Sequence, residues 1–183
     1  MLDEGRSLRQ FFVMNALSSS ISLLFRHTRT IGFALLGCLL MLAGRTQAED
    51  DAPFPKLPEG AGAMDAKAAK TFTSVESGLK YRILRAGAGA KPTPHQRVVV
   101  NYHGWLFNGR VFDSSYMRGM PITFGLNQVI KGWTEGMQKI GKGGMIELEI
   151  PGYLGYGLQG QPSSGIPPNA TLHFIVELID ILE

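Results

Sequence analysis

Cysteine is nearly absent: the 183 residues contain one, Cys38, and it lies in the N-terminal quarter. A disulfide framework and thiol chemistry are therefore excluded from the rest of the chain. His95, His103 and His173 are far apart and lack metal-ligand spacing, so no metal is expected. The glycine run AGAGAK (86–91) has no helix start behind it and cannot cradle phosphate, and no nucleophile stands beside a partnered base. No cofactor is expected either. Charge is also sparse: 18 basic and 15 acidic residues become 13 and 13 once residues 1–48 are set aside. That balance excludes the basic footprint of nucleic-acid binding. A long amphipathic helix is missing too, which leaves no separate dimerisation module and predicts a monomer.

The N-terminus explains the excess of basic residues. RHTRT (26–30) is followed by the apolar run IGFALLGCLLMLAG (31–44) and then by RTQAED, with small Ala48 before the acidic residues. Charged region, short apolar core and small-residue boundary read as a signal peptide over 1–48, cleaved after Ala48. The core is too short to span a bilayer comfortably. The region ahead of it is long and carries a second apolar patch, FFVMNALSSSISLLF (11–25), so the true start can lie at Met14 or beyond. Two alternatives stay open: residues 31–44 persist as a membrane anchor, or LLGC (35–38) places a lipid on Cys38. Residues 49–70 are rich in Pro, Ala and Gly without apolar periodicity, which predicts a flexible tether.

From residue 71 onward the pattern is strands separated by turn residues. LKYRIL (79–84), VVVNYHGWLF (98–107), VFDSS (111–115), PITF (121–124), MIELEI (145–150) and TLHFIVELIDIL (171–182) read as strands. Asn108-Gly109 predicts a tight hairpin in which both residues take positive φ. Alternation in MIELEI, and at Leu172, Phe174, Val176 and Leu178, predicts a sheet with one covered face; Glu147, Glu149 and Glu177 fall on the solvated one. NQVIKGWTEGM (127–137) is the one predicted helix, with Val129, Ile130, Trp133 and Met137 on a single stripe. Gly132 and Gly136 each weaken it by about 0.5–1 kcal/mol relative to alanine, so close approach of another element is the reason expected for them. The fold class is α+β: an antiparallel five- to six-stranded half-barrel sheet wrapped around one short helix, over 71–183.

VVVNYHGWLFNGRVFDSS, NQVIKGWTEGM, PGYLGYG and GIPPNATLHFIVEL occur in this order between Ser77 and Glu183. Together they resemble the signatures of the FKBP-type peptidyl-prolyl isomerases. The resemblance implies an apolar pocket between sheet and helix, with substrate-binding residues Tyr102, Phe112, Phe124, Val129, Ile130, Trp133, Ile166 and Phe174. Trp133 is then the floor, and Asp113 and Tyr156 are the catalytic candidates. Tyr156 OH and the Ile166 backbone N–H are expected to donate to substrate carbonyls, with Asp113 orienting the pocket or polarising the twisted carbonyl carbon. Ile122 stands where an aromatic is common, and QGQPSSG (159–165) is polar where a histidine or aromatic often sits; both bear on substrate preference.

The implied activity is isomerisation of X-Pro bonds in unfolded or partly folded polypeptides in a bacterial periplasm, with binding of tacrolimus- or rapamycin-like macrocycles. The alternative is a chaperone or scaffold that holds proline segments on the same fold. Taken singly, the residues have plainer readings: the aromatics as sheet core, Asp113 as a turn stabiliser, Tyr156 as a loop cover.

Overall fold

A computed structural model of the chain describes residues 53–183. The predicted signal peptide, its apolar run 31–44, Ala48 and Cys38 lie outside the described residues.

Among the described residues seven strands form one antiparallel sheet: β1 (Thr73–Ser74), β2 (Lys80–Arg85), β3 (Arg97–Leu106), β4 (Val111–Ser114), β5 (Ile122–Gly125), β6 (Met145–Ile150) and β7 (Leu172–Leu182). Their order is β1-β2-β6-β7-β3-β4, and β5 pairs with the start of β3, Val98 facing Phe124. The sheet is open, as expected for the α+β class. The two-residue β1, too short to leave a periodic signal, takes the count above the five or six expected.

Among the described residues two α-helices accompany the sheet: α1 (Ser115–Arg118) between β4 and β5, and α2 (Lys131–Met137) before β6. The predicted stripe is partly right. Trp133 and Met137 lie on α2 and are buried, whereas Val129 and Ile130 belong to its lead-in, with Ile130 as N-cap. The glycines have the expected role. A Cβ at Gly132 would lie 2.5 Å from Ile150 Cγ2, and one at Gly136 would lie 2.6 Å from Leu148 Cδ2. The helix therefore lies closer to β6 than any side chain at those positions would permit.

The hairpin between β3 and β4 differs from expectation. Gly109 has φ 80°, but Asn108 is not left-handed: Asn169 is the only non-glycine residue with positive φ among the described residues. The turn closes through Gly109 N–H to Leu106 O (2.8 Å) and Leu106 N–H to Arg110 O (3.0 Å). A single left-handed glycine thus completes a longer turn, one of the common alternatives to the two-residue loop.

Strand alternation sorts side chains to two faces. Val98, Val100 and Tyr102 of β3, Ile146, Leu148 and Ile150 of β6, and Phe174, Val176 and Leu178 of β7 pack with Trp133 and Met137 into the main core. On the opposite face Leu84, Met145 and Ile175 form a second cluster, covered by Leu57, Ala61, Met64 and Trp105. Residues 53–70 are thus not the flexible tether that their composition suggested. They run along the outer face, with Asp65 N–H bonded to Leu84 O (2.8 Å) and Ala69 N–H to Ile83 O (3.1 Å).

The same segment corrects the assignment of the glutamates. Glu147 and Glu177 are 5% and 8% exposed, not solvated; Glu149 is partly exposed and pairs with Lys80 at 3.1 Å. Arg82, 1% exposed, donates through Nε to Glu147 Oε2 (2.5 Å), through Nη1 to Lys70 O (3.0 Å) and through Nη2 to Pro53 O (2.6 Å). Its guanidinium lies 5.0 Å from the Phe54 ring centroid and 4.8 Å from that of Phe72. A buried charge needs a partner and hydrogen bonds. Here Glu147 of β6 supplies the partner, and the segment 53–72 supplies two carbonyl acceptors and two aromatic rings.

Candidate active site

Between β3, β4, α2 and the loop after β6 lies a cavity of about 480 Å³. Its lining contains Tyr102, Phe112, Asp113, Phe124, Val129, Ile130, Trp133, Tyr156 and Phe174. Nine of the ten residues singled out from the sequence therefore converge on one space. Ile166 is the exception: it is buried in the main core and borders a second, shallower groove with Arg110, Pro167 and Pro168.

Trp133, buried on α2, lines the cavity. Its ring meets three others edge-on: Tyr102 at 5.3 Å and 84°, Phe124 at 5.8 Å and 86°, and Phe174 at 5.3 Å and 82°. Edge-to-face contacts of this kind add to the area each ring buries and fix the rings' angles. The Trp133 indole Nε1 is buried without a hydrogen-bond partner among the described residues. Phe112 packs edge-on against Phe174 at 5.4 Å. Gly104 makes that pairing possible, because a Cβ there would lie 2.7 Å from both rings.

One wall is polar. Tyr102 OH donates to Asp113 Oδ2, Arg118 Nη1 donates to Asp113 Oδ1, and Arg118 Nη2 donates to Tyr102 OH at 2.7 Å. The Arg118 guanidinium also sits 5.5 Å from the Tyr102 ring centroid. Burial pushes the Tyr102 hydroxyl up to about 12, and the bond to the Asp113 carboxylate adds to it, so Tyr102 stays a donor. Burial by itself would raise Asp113, but the bonds from Tyr102 and Arg118 prevail and hold its carboxyl below the ordinary aspartate value. Asp113 is therefore an anion with both oxygens engaged, unsuited to taking a proton.

Among the cavity donors without a partner are Tyr156 OH and the Ile130 backbone N–H. Tyr156 OH has no hydrogen-bond partner among the described residues, and burial together with the Asp113 charge raises its pKa, which keeps it protonated. The Ile130 backbone N–H, at the N-cap of α2, likewise has no acceptor among the described residues. The Ile166 N–H, expected to serve substrate, is already spent within its loop on Gln161 O at 3.0 Å.

Sequence reasoning missed Arg118, Gln128 and Ser164, and noted Ile122 only as a departure; all four line the cavity. The one available signal for Arg118 was its place five residues after Asp113, at the end of a segment too short to register as a helix. No cluster of three or more His, Cys, Asp or Glu among the described residues is arranged to hold a metal.

An open antiparallel sheet with a short helix against one face and a cavity lined by aromatic rings between them defines an FKBP-like domain. The family model described as FKBP-type peptidyl-prolyl cis-trans isomerase matches residues 89–179. The chain is 51% identical over 112 residues to the FKBP-type peptidyl-prolyl cis-trans isomerase FkpA of Escherichia coli K12, covering 61% of this chain and 41% of that protein. It is 45% identical over 142 residues to a probable FKBP-type isomerase of Haemophilus influenzae, covering 78% and 58%. A crystal structure of a peptidyl-prolyl cis-trans isomerase from Pseudomonas syringae pv. tomato superposes with a TM-score of 0.57 at 35% identity, covering 61% of this chain and 81% of that one. The chain belongs to the FKBP-type peptidyl-prolyl cis-trans isomerase family. It spans about half the length of the curated relatives it matches.

Proposed function

We propose that the chain accelerates cis/trans rotation of X-Pro bonds in unfolded or partly folded polypeptides, using the Trp133-floored cavity. The observation that carries this reading is an aromatic-lined space with one polar wall and unpartnered donors, Tyr156 OH and Ile130 N–H among them. Rotation faces about 18–20 kcal/mol because amide resonance must be broken, and unaided it takes tens to hundreds of seconds. The twisted amide has less charge separation than the planar one, so a water-poor site favours it over the ground state. No proton transfer or nucleophile is needed. A ten-thousand-fold acceleration, taken as an illustration, corresponds to lowering the barrier by about 5.4 kcal/mol.

In this reading the proline ring sits on the Trp133 indole between Phe112, Phe124 and Phe174. Tyr156 OH and Ile130 N–H hold carbonyls on either side of the rotating bond. Asp113, fixed by Tyr102 and Arg118, faces the twisted carbonyl carbon with a full negative charge. Tacrolimus- or rapamycin-like macrocycles fit the same cavity. The isomerase domain is assigned to residues 71–183, and export after removal of residues 1–48 accords with the N-terminal pattern.

The test is the cis-to-trans rate of short X-Pro peptides with the purified chain and its Asp113→Leu and Tyr156→Phe variants. Acceleration that drops at least tenfold in Asp113→Leu, with unfolding midpoints unchanged, is the expected result. Wild-type rates in both variants would remove their assigned roles. The alternative, a chaperone for proline segments, draws support from Met117, Met120 and Leu158. These are exposed by 78%, 62% and 75% and neighbour the cavity-lining Arg118, Ile122 and Tyr156. A folded chain that binds X-Pro peptides without accelerating them would favour it.

A further inference from the structure

The outer face of the sheet, turned away from the cavity, carries a polar cluster centred on Glu177. Its side chain is 10% exposed, and its carboxylate accepts three hydrogen bonds. Gly62 N–H and Arg85 Nη2 donate to Oε1 at 3.0 and 2.7 Å, and Tyr116 OH donates to Oε2 at 2.6 Å. Arg85 is itself held by Gly143 O (2.6 Å) and Ala63 O (2.5 Å). The carboxylate is thus fixed by β2, by the covering segment and by α1 at once. Its own pairing residue across the ladder is Asn101 of β3, next to Tyr102.

Tyr116 ties this cluster to the cavity. It lies in α1, a helix of four residues that is far too short to hold its own direction. External bonds must set that direction. Ser115 Oγ accepts Tyr102 N–H (2.9 Å) and donates to Asn101 Oδ1 (3.0 Å), which fixes the first turn to β3. Gly119, left-handed at φ 72°, closes the far end. Between them the Tyr116 hydroxyl fixes the middle of α1 to β7. Two residues on, Arg118 is 41% exposed in its side chain, yet it reaches both Asp113 and Tyr102 OH. A long, half-exposed arginine loses rotamer entropy in such a double bond, so the direction of its helix decides how often the bond forms.

We propose that Tyr116 and Glu177 are positioning residues for the reaction. The Tyr116–Glu177 hydrogen bond, held from behind by Arg85 and by Gly62 of the covering segment, sets the angle of α1 and thereby aims Arg118 at Asp113 and Tyr102. The outer face is thus coupled to the cavity through one four-residue helix. This inference rests on the isomerase reading of the cavity for its effect on rate, but not for its effect on the Asp113–Arg118 pair.

The experiment uses the full chain as Tyr116→Phe, Arg118→Ala and the double variant, with two readouts. Carbon-13 NMR follows the titration of the Asp113 carboxyl, and an X-Pro peptide assay gives kcat and KM separately. Tyr116→Phe is expected to raise the Asp113 titration midpoint toward the ordinary aspartate value. It should lower kcat about threefold to tenfold, the size of a coupling carried through packed side chains, with KM little changed. In the Arg118→Ala background the Tyr116→Phe change should then have no further effect on either readout. An Asp113 titration untouched by Tyr116→Phe, or a full additional loss in the Arg118→Ala background, would overturn the proposal. If the parent chain proves inactive, the isomerase reading fails, and the Asp113 titration still decides the positioning role. Glu177→Gln, which keeps an acceptor for the tyrosine, should fall between parent and Tyr116→Phe; an effect larger than that of Tyr116→Phe would count against the pathway.

Discussion

Gly104→Ala is the smallest change that tests how the cavity is built. Gly104 faces Asp113 on one neighbouring strand and Phe174 on the other. An added Cβ would lie 2.7 Å from Phe112 Cζ and 2.7 Å from Phe174 Cε1. Carbon atoms in ordinary contact sit about 3.5–4.0 Å apart, so each ring must retreat by roughly 1 Å. Phe174 has little room to do so, because it is 4% exposed and its far side meets Trp133 at 5.3 Å. Overpacking of this kind costs about 1–3 kcal/mol, against about 0.5–1 kcal/mol recovered by stiffening the unfolded chain. The net expectation is a loss of about 1–2 kcal/mol, or about 3–8 °C in Tm for a domain of this size. Urea unfolding followed by tryptophan fluorescence measures it. The peptide assay on the same protein should show reduced kcat/KM, since the displaced rings line the cavity. Phe112→Leu in the Gly104→Ala background should recover part of the stability, a coupling of at least about 0.5 kcal/mol between neighbours. If Gly104→Ala is as stable as the parent, the close packing of the two rings is not what requires glycine at this position.

The buried outer-face pair makes a second prediction. Arg82→Met strands Glu147, whose carboxyl pKa is already raised by burial against the opposing pull of Arg82, and should cost about 3–5 kcal/mol. Arg82→Met with Glu147→Leu should recover most of that, and a single variant that loses less than about 1 kcal/mol in urea unfolding would show the pair to be more hydrated than its burial implies. A third prediction concerns acid. His103 and His173 flank the Trp105 ring at 5.8 and 5.7 Å, and burial lowers the pKa of both. A histidine with a depressed folded pKa is neutral in the fold while the unfolded chain takes up a proton, so stability is fully present above the unfolded value of about 6.5 and falls as pH drops below it. Unfolding midpoints between pH 7.5 and 5 should decline, and less so in a His103→Gln/His173→Gln variant; equal slopes would exclude these two groups.

The cavity residues could be read from sequence because each lies in a stretch whose local pattern agrees with its structure. Tyr102 alternates inward along β3, Phe174 does so along β7, and Trp133 is on the buried side of α2. Ile166 stands apart from the cavity for a different reason. Its assignment rested on position in a loop, where no periodicity states which way a side chain or N–H points, and its N–H turned out to close a loop bridge to Gln161. Arg118 went unseen because a four-residue helix gives no repeat from which to read a face. The outer face was misread through the assumption that alternation separates core from solvent. Glu147 and Glu177 do point away from the core, but residues 53–70 cover them. Composition had marked that segment as flexible, since Pro, Ala and Gly carry no periodic signal. What holds it is backbone hydrogen bonding to β2 and to Arg82, which depends on where the sheet's own donors and acceptors lie and so leaves no trace in the segment itself.

That covering segment changes what counts as the folding unit. The family match spans 89–179, yet β6, which packs α2 and so supports Trp133, has β2 (Lys80–Arg85) as its partner on one side. Cut at residue 89, β6 becomes an edge strand with its hydrogen-bonding groups unpaired. Arg82 leaves with β2, and Glu147 is then a charge on a surface that has lost its covering. At the other end Asp180, Ile181 and Leu182 pair with Val99, Val98 and Arg97, the stretch of β3 on which β5 also builds. Phe124 stands on β5 and meets both Tyr102 and Trp133. Residues outside the matched span therefore support both β6 behind Trp133 and the stretch of β3 that carries β5 and Phe124, and the aromatic cavity depends on chain on both sides of that span.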